Sequence, residues 1–143
     1  MIEKKVIIFV RGEQSYDMPP DKTELVSEGT MTIADDGRVT LEYPESELTG
    51  MEGTVTRFDI LGDTATLTRT GTICSQMVFQ PGETHSFLYQ TQWGALTMDI
   101  HTASLVHRLD AHGGILQIKY TISVEHQVTG RSQCKIKVRD ITR

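Results

Sequence analysis

The chain alternates apolar and polar residues over most of its length, and the alternation is clearest from residue 113 to residue 139. A period of two with a single apolar face is typical of a β-strand that is buried on one side and exposed on the other. The apolar positions of the first strand in this segment are Leu116, Ile118, Tyr120, Ile122 and Val124. The pattern predicts that this strand turns at Thr129, Gly130 and Arg131 into a second strand.

The same alternation predicts ten strands, at residues 4–14, 23–34, 38–43, 54–61, 64–70, 72–79, 84–91, 95–109, 115–128 and 132–141. Most breaks between them contain Gly or Asp, which allow the positive φ angles of short turns. Connections of two to five residues leave no room for a helix, so consecutive strands are expected to pair antiparallel as a meander. The sequence therefore predicts an all-β fold.

A meander of about eight to ten strands has two long edges, and closure into a barrel removes both. We therefore expect an up-and-down barrel, with a sandwich of two sheets as the alternative. The apolar face of the eighth strand changes side between Ile100 and Leu105, which predicts a bulge or bend near residues 102–104. Segment 44–53 starts with Pro44 and is predicted to be a loop or a single helical turn across one barrel end.

Composition agrees with this picture and limits the partners. Thr, Ile and Val fill 41 of 143 positions, and their branched Cβ atoms favour strands. The length fits one domain over residues 1–143. The net charge of −5 comes without a basic run, so no nucleic-acid partner is expected. The apolar run at residues 6–10 is too short for a signal peptide or a membrane span, so we expect a cytoplasmic protein without a membrane partner.

Arg69 is the residue that the alternation places on an unexpected face. It shares the inward face with Ala65 and Leu67, so its guanidinium should need a carboxylate, backbone carbonyls or a bound anion. One interpretation is an ion pair that closes one barrel end, with Glu45, Glu47 or Glu52 as the partner. The other is that Arg69 binds the acidic head of a ligand whose apolar part lies among inward aromatic residues. Those aromatic residues are Tyr43, Phe87, Tyr89 and Tyr120.

Other reactive residues form no recognisable arrangement. The two cysteines, Cys74 and Cys134, are interpreted as buried, reduced thiols, with a disulfide between neighbouring strands as the alternative. The histidines and Asp99 have weak metal-ligand spacing and are interpreted as outward-facing or turn residues, except His126, which has inward parity. No nucleophile motif accompanies the available Ser and Cys residues. We therefore expect no metal and no cofactor, and the sequence gives no argument for an enzyme.

The order of short motifs along the chain resembles that of a known family. The motifs are Tyr43 with Glu47, Thr49-Gly50-Met51-Glu52-Gly53-Thr54, Gly62-Asp63, Arg69-Thr70-Gly71, Met77-Val78-Phe79, Tyr89-Gln90-Thr91 with Gly94, Thr102, and Gly113-Gly114 before Tyr120. Each is short, but their order and spacing resemble the YwiB-like family of small bacterial proteins of unknown function. The resemblance runs from about Val39 to the C-terminus and, more loosely, over the first two strands. It implies a calycin-like, lipocalin-like barrel with a cavity in a cytoplasmic bacterial protein, and it supplies neither a substrate nor functional residues.

Three functions stay open from the sequence. The first is a module that binds a small apolar or amphipathic molecule, with an acidic group at Arg69. The second is a structural or protein-interaction domain with a side-chain-filled barrel, and it is compatible with a homodimer. The third is a hydrolytic or isomerase-type enzyme, which would need two titratable groups in reach of each other. An inward face that holds only Arg69 and tyrosines argues against the third.

Overall fold

A computed structural model describes the protein over residues 1–15, 21–45, 52–91, 94–124 and 127–141. Ten β-strands account for most of these residues, which confirms the predicted all-β fold. They are β1 (Ile2–Ser15), β2 (Asp21–Ile33), β3 (Val39–Pro44), β4 (Thr54–Leu61), β5 (Thr64–Gly71), β6 (Ser75–Phe79), β7 (Thr84–Thr91), β8 (Gly94–Asp110), β9 (Gly113–Val124) and β10 (Gln127–Asp140). The described part of the chain contains no helix of the length and apolarity that crossing a bilayer requires.

All ten strands belong to one antiparallel sheet with the order β6-β5-β4-β3-β2-β1-β10-β9-β8-β7. Consecutive strands pair along their length everywhere except between β6 and β7, and the first strand pairs with the last. The result is a nearly closed up-and-down barrel, as the short connections predicted, and the two-sheet sandwich is not formed. Because β1 pairs with β10, the seam of the barrel lies in the middle of the chain, between β6 and β7.

The seam between β6 and β7 is held at three points. At one end, Cys74 and Gln90 exchange two backbone hydrogen bonds of 3.2 and 3.1 Å. Further along, the N–H of Gly82 donates to the carbonyl oxygen of Thr102 at 2.9 Å, which ties the β6–β7 turn to β8. At the opposite end, His107 Nε2 donates to the carbonyl oxygen of Gly62 at 2.6 Å. These bonds bring β8 against the β4–β5 side, so the barrel closes without a continuous ladder.

Two irregularities bend the long strands. The register of β8 and β9 shifts between Thr102 and Ser104, which confirms the predicted bulge. The predicted turn at residues 129–131 is wrong, because β9 ends at Val124 and β10 already begins at Gln127. Gly130 instead has a φ of 138° at a register shift inside β10. A bulge can use the same freedom of glycine at positive φ as a turn, so the sequence signal was ambiguous.

The inward face forms the core that the alternation predicted. Fully buried side chains such as Leu41, Ile60, Ala65, Ile100 and Ile118 pack inside the barrel. The cysteines depart from the prediction in one respect, since both are free but Cys74 is exposed and only Cys134 is partly buried. The β5–β6 ladder ends where Arg69 pairs with Ser75, so Cys74 lies just outside this ladder. Most of the predicted loop 44–53, namely residues 46–51 with Glu47, lies outside the described residues, as do Trp93 and His126.

Candidate functional site

The barrel interior contains a cavity of about 510 Å³ bounded by described residues. This volume falls within the range of about 300 to 1,000 Å³ that is usual for small-molecule sites. Apolar and aromatic side chains form most of its wall, and a few polar groups interrupt it. The polar groups of the wall are those of Thr23, Tyr43, Glu45, Arg69, Tyr89, Tyr120 and Cys134.

The register of four successive strands, β3 to β6, creates a row of inward polar side chains, which we call the polar row. Tyr43 on β3 lies opposite Thr56 on β4, Thr56 lies opposite Arg69 on β5, and Arg69 lies opposite Ser75 on β6. Residues directly opposite each other in an antiparallel pair share one face of the sheet. The row therefore crosses one wall of the cavity at the level of Arg69.

Arg69 is half-buried in this row, and its guanidinium is not neutralised by a described carboxylate. Its Nε atom is buried and has no hydrogen-bond partner within the described ranges. Ser75 Oγ is also buried without a hydrogen-bond partner within the described ranges, and Ser75 is only 8% exposed. A buried donor without an acceptor is costly, so these two atoms are unusual, and one of them, Arg69 Nε, belongs to a residue that lines the cavity.

Glu45 satisfies a different part of the polar row. Its Oε1 accepts a hydrogen bond of 2.6 Å from Thr56 Oγ1, and its side chain is 8% exposed. Burial raises the pKa of Tyr43 above its usual value, and the Glu45 carboxylate raises it further by its charge and by a hydrogen bond. The Arg69 charge acts on this phenol in the opposite direction. Tyr43 is therefore a neutral hydroxyl at physiological pH, and the two charges of the site are those of Glu45 and Arg69.

Of the two sequence interpretations of Arg69, the ion pair is formed with neither Glu45 nor Glu52 within the described ranges. Glu45 instead accepts a hydrogen bond from Thr56 Oγ1, and Glu52 is exposed. Glu47 lies outside the described residues. Glu45 directly follows Pro44, the last residue of β3, and β3 pairs with β4. Glu45 therefore lies next to Thr56 on β4, whereas Arg69 is one strand further away, on β5.

Cys134 stands on the wall formed by β10 and faces the same polar groups. Burial raises the pKa of its thiol to about 11; the nearby Arg69 charge lowers it, and Glu45 raises it. The thiol is therefore protonated at physiological pH and is a weak nucleophile. This environment gives the site no activated thiol.

The structure brings together all five residues that the sequence selected, since Arg69, Tyr43, Phe87, Tyr89 and Tyr120 all line the cavity. Tyr43 and Phe87 are buried, whereas Tyr89 and Tyr120 are partly buried. The Tyr120 ring meets the Phe79 ring edge to face, with centroids 5.0 Å apart and planes at 63°. Phe79, Phe87, Tyr89 and Tyr120 thus add aromatic surface to the cavity that the polar row borders.

Sequence reasoning did not select four residues that the cavity wall or the polar row includes. Thr56 and Ser75 gain importance only from the strand register that places them beside Arg69. Met77 and Met98 add flexible apolar surface to the wall. Their inward parity was visible in the sequence, but parity alone does not distinguish a cavity wall from a filled core.

The remaining reactive groups lie away from the cavity. His101 Nδ1 and Thr84 Oγ1 form a hydrogen bond of 2.9 Å, and Asp99 accepts one from Ser86 Oγ, both on exposed parts of β7 and β8. In the ranges that the structure describes, no three His, Cys, Asp or Glu side chains group as metal ligands would. Glu45 and Arg69 are the charged groups of the cavity, and neither is paired with a nucleophile that has a lowered pKa.

Comparison with known proteins agrees with the motif resemblance. A crystal structure of the ywiB protein from Bacillus subtilis has a TM-score of 0.87 to this chain at 19% sequence identity, and the match covers 98% of this chain and 94% of the other. A likeness at this identity shows the shared barrel fold. No curated protein matches the chain. Residues 8–136 match the family described as Domain of unknown function (DUF1934), so the chain belongs to that family.

Proposed function

We propose that the protein is a binding module for a small amphipathic molecule that carries an acidic group. The observation that supports this function is Arg69, a cation on the wall of a cavity of about 510 Å³ whose buried Nε has no partner within the described ranges. An anion bound there would supply the missing acceptor and would gain a charge-assisted hydrogen bond. Arginine is suited to this role because its planar donors match the oxygen atoms of a carboxylate or a phosphate.

The aromatic wall supports the second half of the proposal. Phe79, Phe87, Tyr89 and Tyr120 offer aromatic surface in the same cavity as Arg69. The uncharged hydroxyl groups of Tyr89 and Tyr120 can orient polar atoms of a ligand. A molecule with one acidic end and an apolar body therefore matches a cavity whose wall contains both Arg69 and aromatic side chains.

The alternative function, a structural or protein-interaction domain, predicts a barrel filled by side chains. An interior volume of about 510 Å³ argues against a filled barrel. An enzyme would need an acid, base or nucleophile tuned for chemistry. Tyr43 and Cys134 have raised pKa values that keep both groups protonated at physiological pH, which argues against that role.

Two fluorescent probes test the proposal: anilinonaphthalene sulfonate, which is amphipathic and anionic, and phenylnaphthylamine, which has a similar aromatic body without the sulfonate. The full-length protein is expected to bind both. Arg69→Met is expected to lower the affinity for the sulfonate probe by roughly tenfold or more, the scale of a lost charged hydrogen bond. The affinity for the neutral probe is expected to change by less than about twofold.

Arg57→Met is the matched control. Arg57 is exposed on the outer face of β4 and forms a 3.0 Å ion pair with Asp59, so its loss removes the same charge without touching the cavity. The proposal would be contradicted if Arg69→Met lowered the affinity for both probes equally. It would also be contradicted if Arg57→Met lowered the affinity for the sulfonate probe as much as Arg69→Met does. A wild-type protein that binds neither probe would contradict the proposal as well.

A further inference from the structure

The outer surface of the barrel carries a second feature that lies apart from the cavity. Every second side chain of β10 points outward, since Ser132, Ile136 and Val138 between them are buried. The outward positions of β10 are Arg131, Gln133, Lys135, Lys137 and Arg139, and the four charged residues among them are exposed. Four cations thus stand in one line along a single strand.

Neighbouring strands extend this line into a surface. Lys119 on β9 lies opposite Gln133, Arg11 on β1 lies opposite Lys135, and Arg108 on β8 lies opposite Ile115, the β9 partner of Lys137. We call the outward surface of Arg11, Arg108, Lys119, Arg131, Lys135, Lys137 and Arg139 the basic face. It gathers half of the chain's 14 Lys and Arg residues in a protein of net charge −5.

Most of the basic face is uncompensated. Arg11 is close to Glu13 at 3.3 Å and to Glu24 at 3.9 Å. None of the other six cations forms an ion pair with a described residue. The carboxylate of Asp110 at the end of β8 accepts a hydrogen bond from the backbone of His112. Three carboxylates, those of Glu13, Glu24 and Asp110, therefore border seven cations, and the face presents an excess of positive charge.

Exposed aliphatic side chains stand among these cations. Ile115 is 43% exposed between Lys137 and Arg108, and Val106 on β8 is 52% exposed opposite Gln117. At the β1 side, Val26 is 63% exposed opposite Phe9, which in turn faces Lys137. Alternate residues of a strand are about 6.8 Å apart, so the cations of β10 extend over roughly 27 Å.

We propose that the basic face docks the protein on an anionic lipid surface. Clustered Lys and Arg residues are attracted to acidic headgroups, and interspersed aliphatic side chains can insert at the headgroup boundary. A single-stranded nucleic acid fits less well, because it stacks its bases on aromatic side chains, and Phe9 is the one aromatic residue among the described outward positions of this face. A protein partner also fits less well, because the core of a protein interface is depleted of charged residues and enriched in aromatic ones.

This proposal differs from the expectation drawn from the linear sequence, which found no basic run. The cations are invisible as a run because they occupy alternate positions of β10 and single positions of three other strands. Only the strand register brings them together. The proposal also departs from the expectation of no membrane partner, which rested on the lack of a spanning or signal segment, whereas a peripheral contact needs neither.

Sedimentation with vesicles tests the proposal. The full-length protein is expected to sediment with vesicles of equal parts phosphatidylglycerol and phosphatidylcholine, to remain free with phosphatidylcholine alone, and to be released as salt rises well above about 0.1 M, where screening is strong. The double variant Lys135→Glu/Lys137→Glu is expected to lower partitioning by at least roughly tenfold.

The matched control is Arg38→Glu/Arg57→Glu, which makes the same change in net charge away from the basic face and is expected to change partitioning by less than about threefold. Circular dichroism establishes that both double variants are folded. Absence of wild-type binding to the anionic vesicles would overturn the proposal, as would an equal loss in the control. The face would be assigned to nucleic acid instead if the protein bound a single-stranded polyuridine RNA more tightly than the vesicles and if Lys135→Glu/Lys137→Glu weakened that binding equally.

Discussion

Arg69 and Ser75 lie opposite each other on β5 and β6, and each has a buried polar atom without a hydrogen-bond partner within the described ranges. Both atoms belong to inward side chains, and Arg69 lines the cavity. A folded protein rarely leaves two such groups side by side, because each unsatisfied group costs about 1 to 3 kcal/mol. The cost is accounted for if the site is arranged for a molecule that supplies the acceptor.

Arg69→Met is therefore expected to raise the free energy of unfolding by about 1 kcal/mol in the ligand-free protein. The reason is that a methionine of similar length fills the same space without the cost of an unpaired, half-buried charge. Urea unfolding of the purified variant measures the change.

Arg57→Met provides the comparison, because Arg57 is an exposed partner of Asp59 and its loss should lower stability by about 1 kcal/mol or less. If Arg69→Met instead lowers stability by more than about 2 kcal/mol, the guanidinium is satisfied in the folded protein. The argument for an anion site would then lose its basis.

The fold could be predicted from the sequence because its main signal is local. Alternation in β5, where Ala65 and Leu67 are buried and Thr66 and Thr68 are not, needs no knowledge of the rest of the chain. The reversal of parity near Thr102 likewise identified the bulge in β8. Gly130 could not be assigned in this way, since a turn and a bulge place glycine in the same backbone region.

The site could be predicted only in part, because it depends on register between strands. Parity showed that Arg69 points inward, but only pairing shows that Ser75 lies beside it and that Thr56 satisfies Glu45. Parity also could not locate the seam, since only pairing shows that β6 and β7 form no ladder. Cys74 lies at this seam, outside the β5–β6 ladder, and is exposed rather than buried.

Two buried threonines allow a direct comparison of satisfied and unsatisfied hydroxyl groups. Thr102 Oγ1 is fully buried without a partner among described residues, whereas Thr56 Oγ1 donates to Glu45 at 2.6 Å. Thr102→Val is expected to be neutral or to raise stability by about 1 kcal/mol, because it removes an unmet hydrogen-bonding group at constant shape. Thr56→Val is expected to lower stability by about 2 kcal/mol, because it takes a donor from a buried carboxylate.

Thermal and urea unfolding of the two variants measure this difference. The replacement is the same in both, and both side chains are completely buried. The comparison therefore cancels the general effect of exchanging a hydroxyl for a methyl group. Equal destabilisation of the two variants would mean that Thr102 Oγ1 has a partner in the folded protein, such as a bound water molecule.

Cys134 makes stability depend on pH in the alkaline range. Burial raises its pKa from 9.0 to about 11, so the folded protein keeps a proton that the unfolded chain loses. Stability from this thiol is complete below pH 9.0 and is lost as pH rises toward about 11. Near pH 10.5 the loss is expected to be about 1 to 2 kcal/mol relative to pH 8.

Urea unfolding of the wild type and of Cys134→Ala at both pH values isolates this effect. Burial raises the pKa of Tyr43 in both proteins, and the charge of an ionised Cys134 raises it further in the wild type alone, so the difference between the proteins reports Cys134 and its effect on Tyr43. We expect the wild type to lose more stability than the variant between the two pH values, because only the wild type carries the Cys134 thiol. Parallel losses in both proteins would show that Cys134 titrates like an exposed thiol, and the wall between β10 and Arg69 would then have to be open to water.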